Sequence, residues 1–145
     1  MTPAAGGGSI PLVYEISKSL FFCYGHRLLG HAGRCRHLHG HNARADVVLA
    51  ADTLDALGMV TDFGAIKDSI GRWLDEELDH NLLLYASDPV LPLLRGAGER
   101  VYVMDVHPTA ENIARLIFVQ AQHLKLPVVA VELWETGTSR ALYRP

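Results

Sequence analysis

Two runs of alternating apolar and polar residues constrain the fold of this chain more than any other feature. The first run places its apolar residues on one face, at Leu12, Tyr14, Ile16, Leu20, Phe22 and Tyr24. The second does the same with Ala43, Ala45, Val47, Leu49 and Ala51. Such alternation is typical of a strand that buries one face and exposes the other. We therefore predict strands over 12–24 and 39–51.

Two other segments have the apolar spacing of helices. Asp62 can cap the first, in which apolar residues recur every three or four positions, and we predict a helix over 63–78. Thr109 is a good N-cap for the second, in which one apolar stripe predicts a helix over 110–124.

The rest of the chain completes an α+β pattern. Segments 128–136 and 140–143 read as a hairpin, and the Pro- and Gly-rich segment 88–98 reads as a loop. A short β-like run over 101–104 has no evident place. The order strand, strand, helix, helix, strand, strand predicts an antiparallel sheet with the helices on one face.

Size and charge exclude several classes of protein. The 145 residues are in the range of one domain, which we place at 11–145 after a flexible, Gly-rich tail at 1–10. A formal charge of -3, with acidic and basic residues interspersed, gives no field that would attract nucleic acid or a membrane surface. No stretch approaches the roughly 20 apolar residues of a membrane span. With only two cysteines, which suit a reducing compartment, we expect a cytoplasmic protein.

A histidine cluster is the first candidate for chemistry. His39 and His41 are two positions apart at the start of the second strand, so both imidazoles project from one face. His26, just past the first strand, is the obvious third ligand. Three histidines with an open fourth position form a standard catalytic zinc site. Surface clusters of histidines have the same spacing, so spacing alone does not decide between the two readings.

Three further residues could supply acid, base or nucleophile. Cys35 lies between Arg34 and Arg36, and nearby positive charge or a metal lowers the pKa of a thiol. Asp79 could orient His80 as a general acid or base. The plainer alternatives are a half-buried apolar cysteine and an Asp-His pair that caps a helix or is solvated.

Glu135 is unexpected because it ends the apolar face of a predicted strand. It could lie in water at the sheet end, or it could accept paired hydrogen bonds from a flat heterocycle with adjacent NH and NH2 groups. Glu111, in the first turn of the second helix, is favoured there by the helix dipole alone.

Motifs from Phe22 to Thr136 together resemble one enzyme family. In chain order they are Phe22 and His26-Arg27-Leu28, Cys35 with Leu38-His39-Gly40-His41-Asn42, Gly58-Met59-Val60 with Asp62-Phe63, Leu78-Asp79-His80, Pro108-Thr109 with Glu111-Asn112, and Glu135-Thr136. This ordered set resembles the 6-carboxytetrahydropterin and 6-pyruvoyltetrahydropterin synthases.

The resemblance implies the tunnelling fold, or T-fold, in which a four-stranded antiparallel sheet with two helices on one face forms barrels in a homo-oligomer. A hexamer built as a dimer of trimers, with active sites between subunits, is expected.

Roles for individual residues also follow from the resemblance. It makes His26, His39 and His41 the ligands of Zn²⁺ and Cys35 the catalytic thiol. It makes Asp79 and His80 a catalytic pair from a neighbouring subunit. Glu135 would anchor the pterin ring, while Thr109 and Glu111 would line the substrate pocket.

The implied activity is that of a zinc-dependent lyase converting 7,8-dihydroneopterin triphosphate to 6-carboxytetrahydropterin, on the way to queuosine-type deazapurines. The alternatives are a 6-pyruvoyltetrahydropterin synthase and a non-catalytic zinc-holding pterin-binding paralogue. Cys23 and Tyr24 depart from the family pattern, because small residues are frequent at both positions. These departures bear on the shape of the pocket and on the identity of the substrate.

Overall fold

The computed structural model describes residues 14–145. The predicted tail at 1–10 and the first residues of the predicted first strand lie outside this part of the chain. The described residues form six strands, namely β1 (Tyr14–His26), β2 (His39–Ala51), β3 (Asn81–Tyr85), β4 (Val101–Met104), β5 (Val128–Trp134) and β6 (Arg140–Tyr143).

The helices are α1 (Phe63–Ile66), α2 (Arg72–Glu77), α3 (Leu91–Gly96) and α4 (Ala110–His123), and a 3-10 turn spans Arg34–Arg36. A π-helical segment, Lys67–Gly71, joins α1 to α2, so the two continue the single helix predicted over 63–78. Asp62 accepts a hydrogen bond from the Gly64 N–H at 2.7 Å and thereby caps its start.

The sheet confirms the α+β class and contains the four predicted strands, with two more strands beside them. Its order is β4-β3-β1-β2-β5-β6, in which β1, β2, β5 and β6 pair antiparallel. Strand β3 pairs parallel to β1, and β4 pairs parallel to β3. The prediction of a four-stranded antiparallel sheet is therefore confirmed only in part, since the four predicted strands pair antiparallel but β3 and β4 make the sheet six-stranded and mixed. Segment 88–98, predicted as a loop, contains α3.

The core lies between the helices and one face of the sheet. On β1 the buried set includes Leu20 and Phe22, and on β2 it includes Val47 and Leu49, as the alternation predicts. Ile113 of α4 is fully buried in the same cluster. The other helical core residues are Ile66, Ile70, Leu74, Ala114, Ile117, Phe118 and Ala121. Within 14–145, no helix has the length and apolar character needed to cross a membrane.

A partly buried ion pair holds the segment that follows β3. Arg27, just past β1, donates to both carboxylate oxygens of Asp88, with Nε at 2.7 Å from Oδ2 and Nη2 at 2.5 Å from Oδ1. The Asp88 side chain is 1% exposed and also accepts from the Val90 N–H at 2.9 Å. These hydrogen bonds, above all those from Arg27, lower the pKa of Asp88. Arg27 is therefore engaged in holding the fold.

Replacing Asp88 with Asn should lower the free energy of unfolding by about 2–3 kcal/mol at pH 7, because the Arg27 guanidinium loses its carboxylate partner. A carboxyl whose pKa is depressed by folding stabilises the protein above its unfolded pKa, about 3.9, and stops doing so as the pH falls through its folded pKa. The difference between parent and variant should therefore shrink below about pH 4.

Urea denaturation at a series of pH values measures both effects. The control is Glu15→Gln, which removes the carboxylate of an exposed pair with Arg144 at 3.9 Å and should change stability by less than about 0.5 kcal/mol. An Asp88→Asn protein as stable as the control at pH 7 would contradict the prediction.

Candidate functional site

The three predicted histidines meet where β1 ends and β2 begins. In the antiparallel register His26 lies opposite His39, and Tyr24 lies opposite His41. The ring centroids are 4.5 to 5.2 Å apart, and one ring nitrogen from each histidine lies within 4.8 Å of the others. Between the two histidines of β2, a Cβ at Gly40 would be 3.0 Å from the Tyr24 carbonyl oxygen. Glycine therefore permits the close strand approach that brings the rings together.

Backbone carbonyls orient two of the rings. The Nδ1 of His26 is 2.7 Å from the Pro108 carbonyl oxygen, and the Nδ1 of His39 is 2.7 Å from that of His37. Because a carbonyl oxygen only accepts, each Nδ1 is the donor, and this leaves each Nε2 as the nitrogen that could bind a metal. Burial, partly offset by the Pro108 hydrogen bond, lowers the pKa of His26. His26 is thus neutral near pH 7, the state in which an imidazole binds a metal.

The spacing of the nitrogens suits a small tetrahedral cation. The Nε2 atoms of His26 and His41 are 3.2 Å apart. Tetrahedral zinc, with Zn–N bonds of about 2.0–2.1 Å, would set two nitrogen ligands about 3.3 Å apart. His26 is 3% exposed, and His39 and His41 are half-buried, so the site is sheltered but open on one side. The donor set and its spacing therefore fit zinc.

A cavity of about 430 Å³ opens over the histidines and brings together seven of the nine predicted site residues. Those seven are His26, His39, His41, Cys35, Thr109, Glu111 and Glu135. The 3-10 turn carries Cys35, which is half-buried and free. Thr109 caps α4 by accepting from the Asn112 N–H at 3.2 Å, which sets the first turn and Glu111 at the cavity wall.

Glu135 directly follows β5 and faces the same cavity. Its Oε1 accepts a hydrogen bond from the Tyr24 hydroxyl at 2.6 Å. The same oxygen is 3.8 Å from His26 Nε2, and Oε2 is 3.8 Å from His41 Nε2. Burial, and then the hydrogen bond to Glu135, raise the pKa of Tyr24 far above its usual value. The phenol therefore keeps its proton and donates a hydrogen bond to the carboxylate.

The Asp79 and His80 side chains form the predicted pair, but away from this cavity. His80 Nδ1 is 2.7 Å from Asp79 Oδ2. Both backbone groups of Cys23 hold the pair, since its N–H donates to Asp79 Oδ1 at 2.8 Å and its carbonyl accepts from the His80 N–H at 2.8 Å. Although burial raises the pKa of Asp79, the hydrogen bonds from Cys23 and His80 bring it below its usual value.

The pair lies on the other side of the sheet from the histidine cluster. The Cys23 side chain alternates with those of Phe22 and Tyr24, so it points to the opposite face of β1. Its sulfur and ligand atoms of Asp79 and His80 lie within 4.8 Å of one another. His80 is largely exposed and has a positive φ of 58°. Within one chain, the pair therefore faces outward rather than into the cavity.

Sequence reasoning did not assign several groups that shape the site. The carbonyls of Pro108 and His37 have no signal in the sequence, because any residue supplies a backbone oxygen. Cys23 and Tyr24 could be singled out in the sequence because small residues are frequent at those positions. Their hydrogen-bond partners could not be predicted from it.

Comparisons with known proteins agree with one another. The family model described as 6-pyruvoyl tetrahydropterin synthase matches residues 15–145. A 6-carboxy-5,6,7,8-tetrahydropterin synthase from Rickettsia felis is 42% identical, covering 69% of this chain and 74% of that protein. One from Aquifex aeolicus is 31% identical, covering 90% and 98%.

Solved structures extend the likeness to the fold. An uncharacterized protein from Wolinella succinogenes superposes with a TM-score of 0.76 at 31% identity, covering 92% of this chain and 99% of that one. The 6-pyruvoyl tetrahydropterin synthase of Caenorhabditis elegans gives a TM-score of 0.68 at 23% identity, covering 94% and 97%. The second likeness is one of fold alone.

Proposed function

Because the chain belongs to the 6-pyruvoyl tetrahydropterin synthase family, we propose that it is a 6-carboxy-5,6,7,8-tetrahydropterin synthase. It would convert 7,8-dihydroneopterin triphosphate and one water to 6-carboxytetrahydropterin, acetaldehyde and triphosphate, in the synthesis of queuosine-type deazapurines. The observation that carries the proposal is the cavity in which three imidazoles, a thiol and a carboxylate meet. The relatives named for this activity, at 31% and 42% identity, support the choice of product.

His26, His39 and His41 would hold the metal, which we propose is Zn²⁺. The orientation of His26 and His39 by backbone carbonyls and the 3.2 Å spacing between the Nε2 atoms of His26 and His41 support this assignment. Bound zinc would supply a Lewis acid that polarises the oxygens of the substrate side chain and makes the adjacent C–H more acidic.

The remaining residues of the cavity would bind the substrate and move its protons. The Glu135 carboxylate would accept hydrogen bonds from the adjacent NH and NH2 groups of the pterin ring. The Cys35 thiolate would remove the acidic proton of the side chain. Thr109 and Glu111 would line the pocket at the start of α4.

Asp79 and His80 would return protons as triphosphate leaves, and we propose that they act in the cavity of a neighbouring subunit. Two features support a homo-oligomer, of which a hexamer is the proposed form. The pair faces outward from its own chain, and within residues 14–145 β4 and β6 form the two edges of the sheet, where another chain could pair with them.

The proposal is tested by incubating zinc-loaded protein with 7,8-dihydroneopterin triphosphate and identifying the products by mass, with acetaldehyde assayed in parallel. We expect 6-carboxytetrahydropterin and acetaldehyde in equal amounts. A pyruvoyl product without acetaldehyde would instead identify a 6-pyruvoyltetrahydropterin synthase. Tight binding of the substrate with no product would favour the non-catalytic paralogue.

The control is His39→Ala, because two remaining imidazoles are too few for a catalytic zinc site. Elemental analysis should find about one zinc per parent chain and little in the variant, and the variant should form no product. Parent protein free of transition metal, or a variant with full zinc occupancy, would contradict the assignment of the metal site.

A further inference from the structure

Tyr24 is a buried polar residue whose hydroxyl reaches into the candidate site. It is 3% exposed, and its hydroxyl donates to Glu135 Oε1 at 2.6 Å. The two residues are separated by 111 positions, so the fold and not local sequence brings them together. A small residue at position 24 would leave this carboxylate oxygen without its donor.

The carboxylate it contacts has two competing uses. Its oxygens are 3.8 Å from His26 Nε2 and from His41 Nε2, so Glu135 lies beside the proposed metal ligands. Carboxylates are ordinary zinc ligands, and a small rotation would let Glu135 complete the coordination sphere. In that position its oxygens would be less available to the hydrogen-bond donors of a substrate.

The packing around Tyr24 fixes where its hydroxyl lies. Its ring stacks on Phe22 at 5.6 Å and meets the edge of His26 at 5.1 Å. Its backbone lies against Gly40, where a Cβ would be 3.0 Å from the Tyr24 carbonyl oxygen. Because the packing already fixes the Tyr24 side chain, its hydroxyl can orient the carboxylate without a further loss of side-chain entropy.

We propose that Tyr24 is a positioning residue, which holds Glu135 as a hydrogen-bond acceptor for the pterin ring and away from the metal. The inference rests on the proposed function, in which Glu135 anchors the ring. It adds a role for the phenol of Tyr24, at a position where the resemblance leads us to expect a small residue. The phenol keeps the carboxylate directed toward the substrate and not toward the metal.

Tyr24→Phe removes the hydroxyl and leaves the ring, and it should weaken binding of 7,8-dihydroneopterin to the zinc protein by about tenfold, as for the loss of one hydrogen bond to a charged group. Calorimetry measures this binding. In steady-state kinetics KM should rise by more than kcat falls, because the chemistry of Cys35 does not pass through the phenol.

A second measurement follows the metal alone. In protein loaded with Co²⁺, the visible absorption spectrum reports the number and geometry of the ligands. Tyr24→Phe should change that spectrum, because Glu135 is released toward the metal, and the change should disappear in the double variant Tyr24→Phe/Glu135→Gln. Tyr143→Phe, a hydroxyl removed from a ring that packs on Phe118 at 5.1 Å, is the matched control and should leave the spectrum and the binding unchanged.

A double-mutant cycle separates this inference from the function on which it rests. Glu135→Gln alone should weaken binding at least tenfold, and adding Tyr24→Phe should then have little further effect. If Glu135→Gln weakens binding but Tyr24→Phe changes neither binding nor the Co²⁺ spectrum, the role of Tyr24 is overturned and the pterin anchor stands. If Glu135→Gln itself leaves binding unchanged, the anchor of the proposed function fails.

Discussion

Replacing Cys35 with Ala should leave zinc and pterin binding intact while turnover falls by about 10²- to 10⁴-fold, the contribution of a well-placed general base. The reason is a division of labour inside the cavity. The proposed metal has three imidazole ligands without the thiol, and the proposed ring anchor is Glu135. Cys35 lines the same cavity, half-buried and free of any disulfide, so it is available as the base.

Three measurements on the same purified variant test this separation, namely zinc content, 7,8-dihydroneopterin affinity and single-turnover rate. Cys35→Ser is the matched variant, because it keeps the size of the side chain but replaces the thiol with a far weaker acid. It should be slow as well. Loss of zinc from Cys35→Ala would make the thiol a ligand, and turnover at the parent rate would remove it from the mechanism.

Long elements with one clear period could be predicted from the sequence. Strand β2 has the bounds that alternation predicted, because thirteen residues with one apolar face admit few other structures. The start of α4 lies at Ala110, as the N-cap at Thr109 predicts, and its end is one residue short of the predicted 124.

Short elements could not be predicted because their patterns are ambiguous. Strand β3 has five residues in an apolar run that a buried helix would share. Helix α3 contains Pro92 and ends at Gly96, residue types that favour loops, although proline is compatible with a first helical turn. The parallel pairing of β3 with β1 and of β4 with β3 is a non-local contact that no local pattern reports.

Part of the candidate site could likewise be predicted from the sequence, and part only from the folded structure. Residue types and spacing made the histidines, the thiol and the carboxylate candidates, and the resemblance of the ordered motifs then implied their roles. Their mutual geometry came from the register of β1 and β2 and from α4, whose N-cap lies beside the Pro108 carbonyl that orients His26. The contact between Tyr24 and Glu135 joins distant strands, so only the folded chain reveals it.

His80→Ala should reduce turnover by about 10²- to 10⁴-fold for the same reason as Cys35→Ala, and it should also leave zinc in place. Zinc should stay bound because Asp79 and the backbone of Cys23 hold His80 on the far side of the sheet from the metal ligands. Single-turnover rates and elemental analysis of the variant measure both effects. A variant that loses its metal would instead connect His80 to the histidine cluster.

Mixing the two inactive variants distinguishes a shared site from a site within one chain. If Cys35 of one subunit acts with His80 of its neighbour, random assembly of equal amounts gives about a quarter of the sites both intact residues, since each is present with a probability of about one half. Activity should then recover to roughly that fraction of the parent value after subunit exchange. Mixing Cys35→Ala with the double variant Cys35→Ala/His80→Ala offers no intact pair and should recover nothing. Mixed oligomers, verified by native mass spectrometry, that stay inactive would show that Cys35 and His80 do not meet across a subunit boundary.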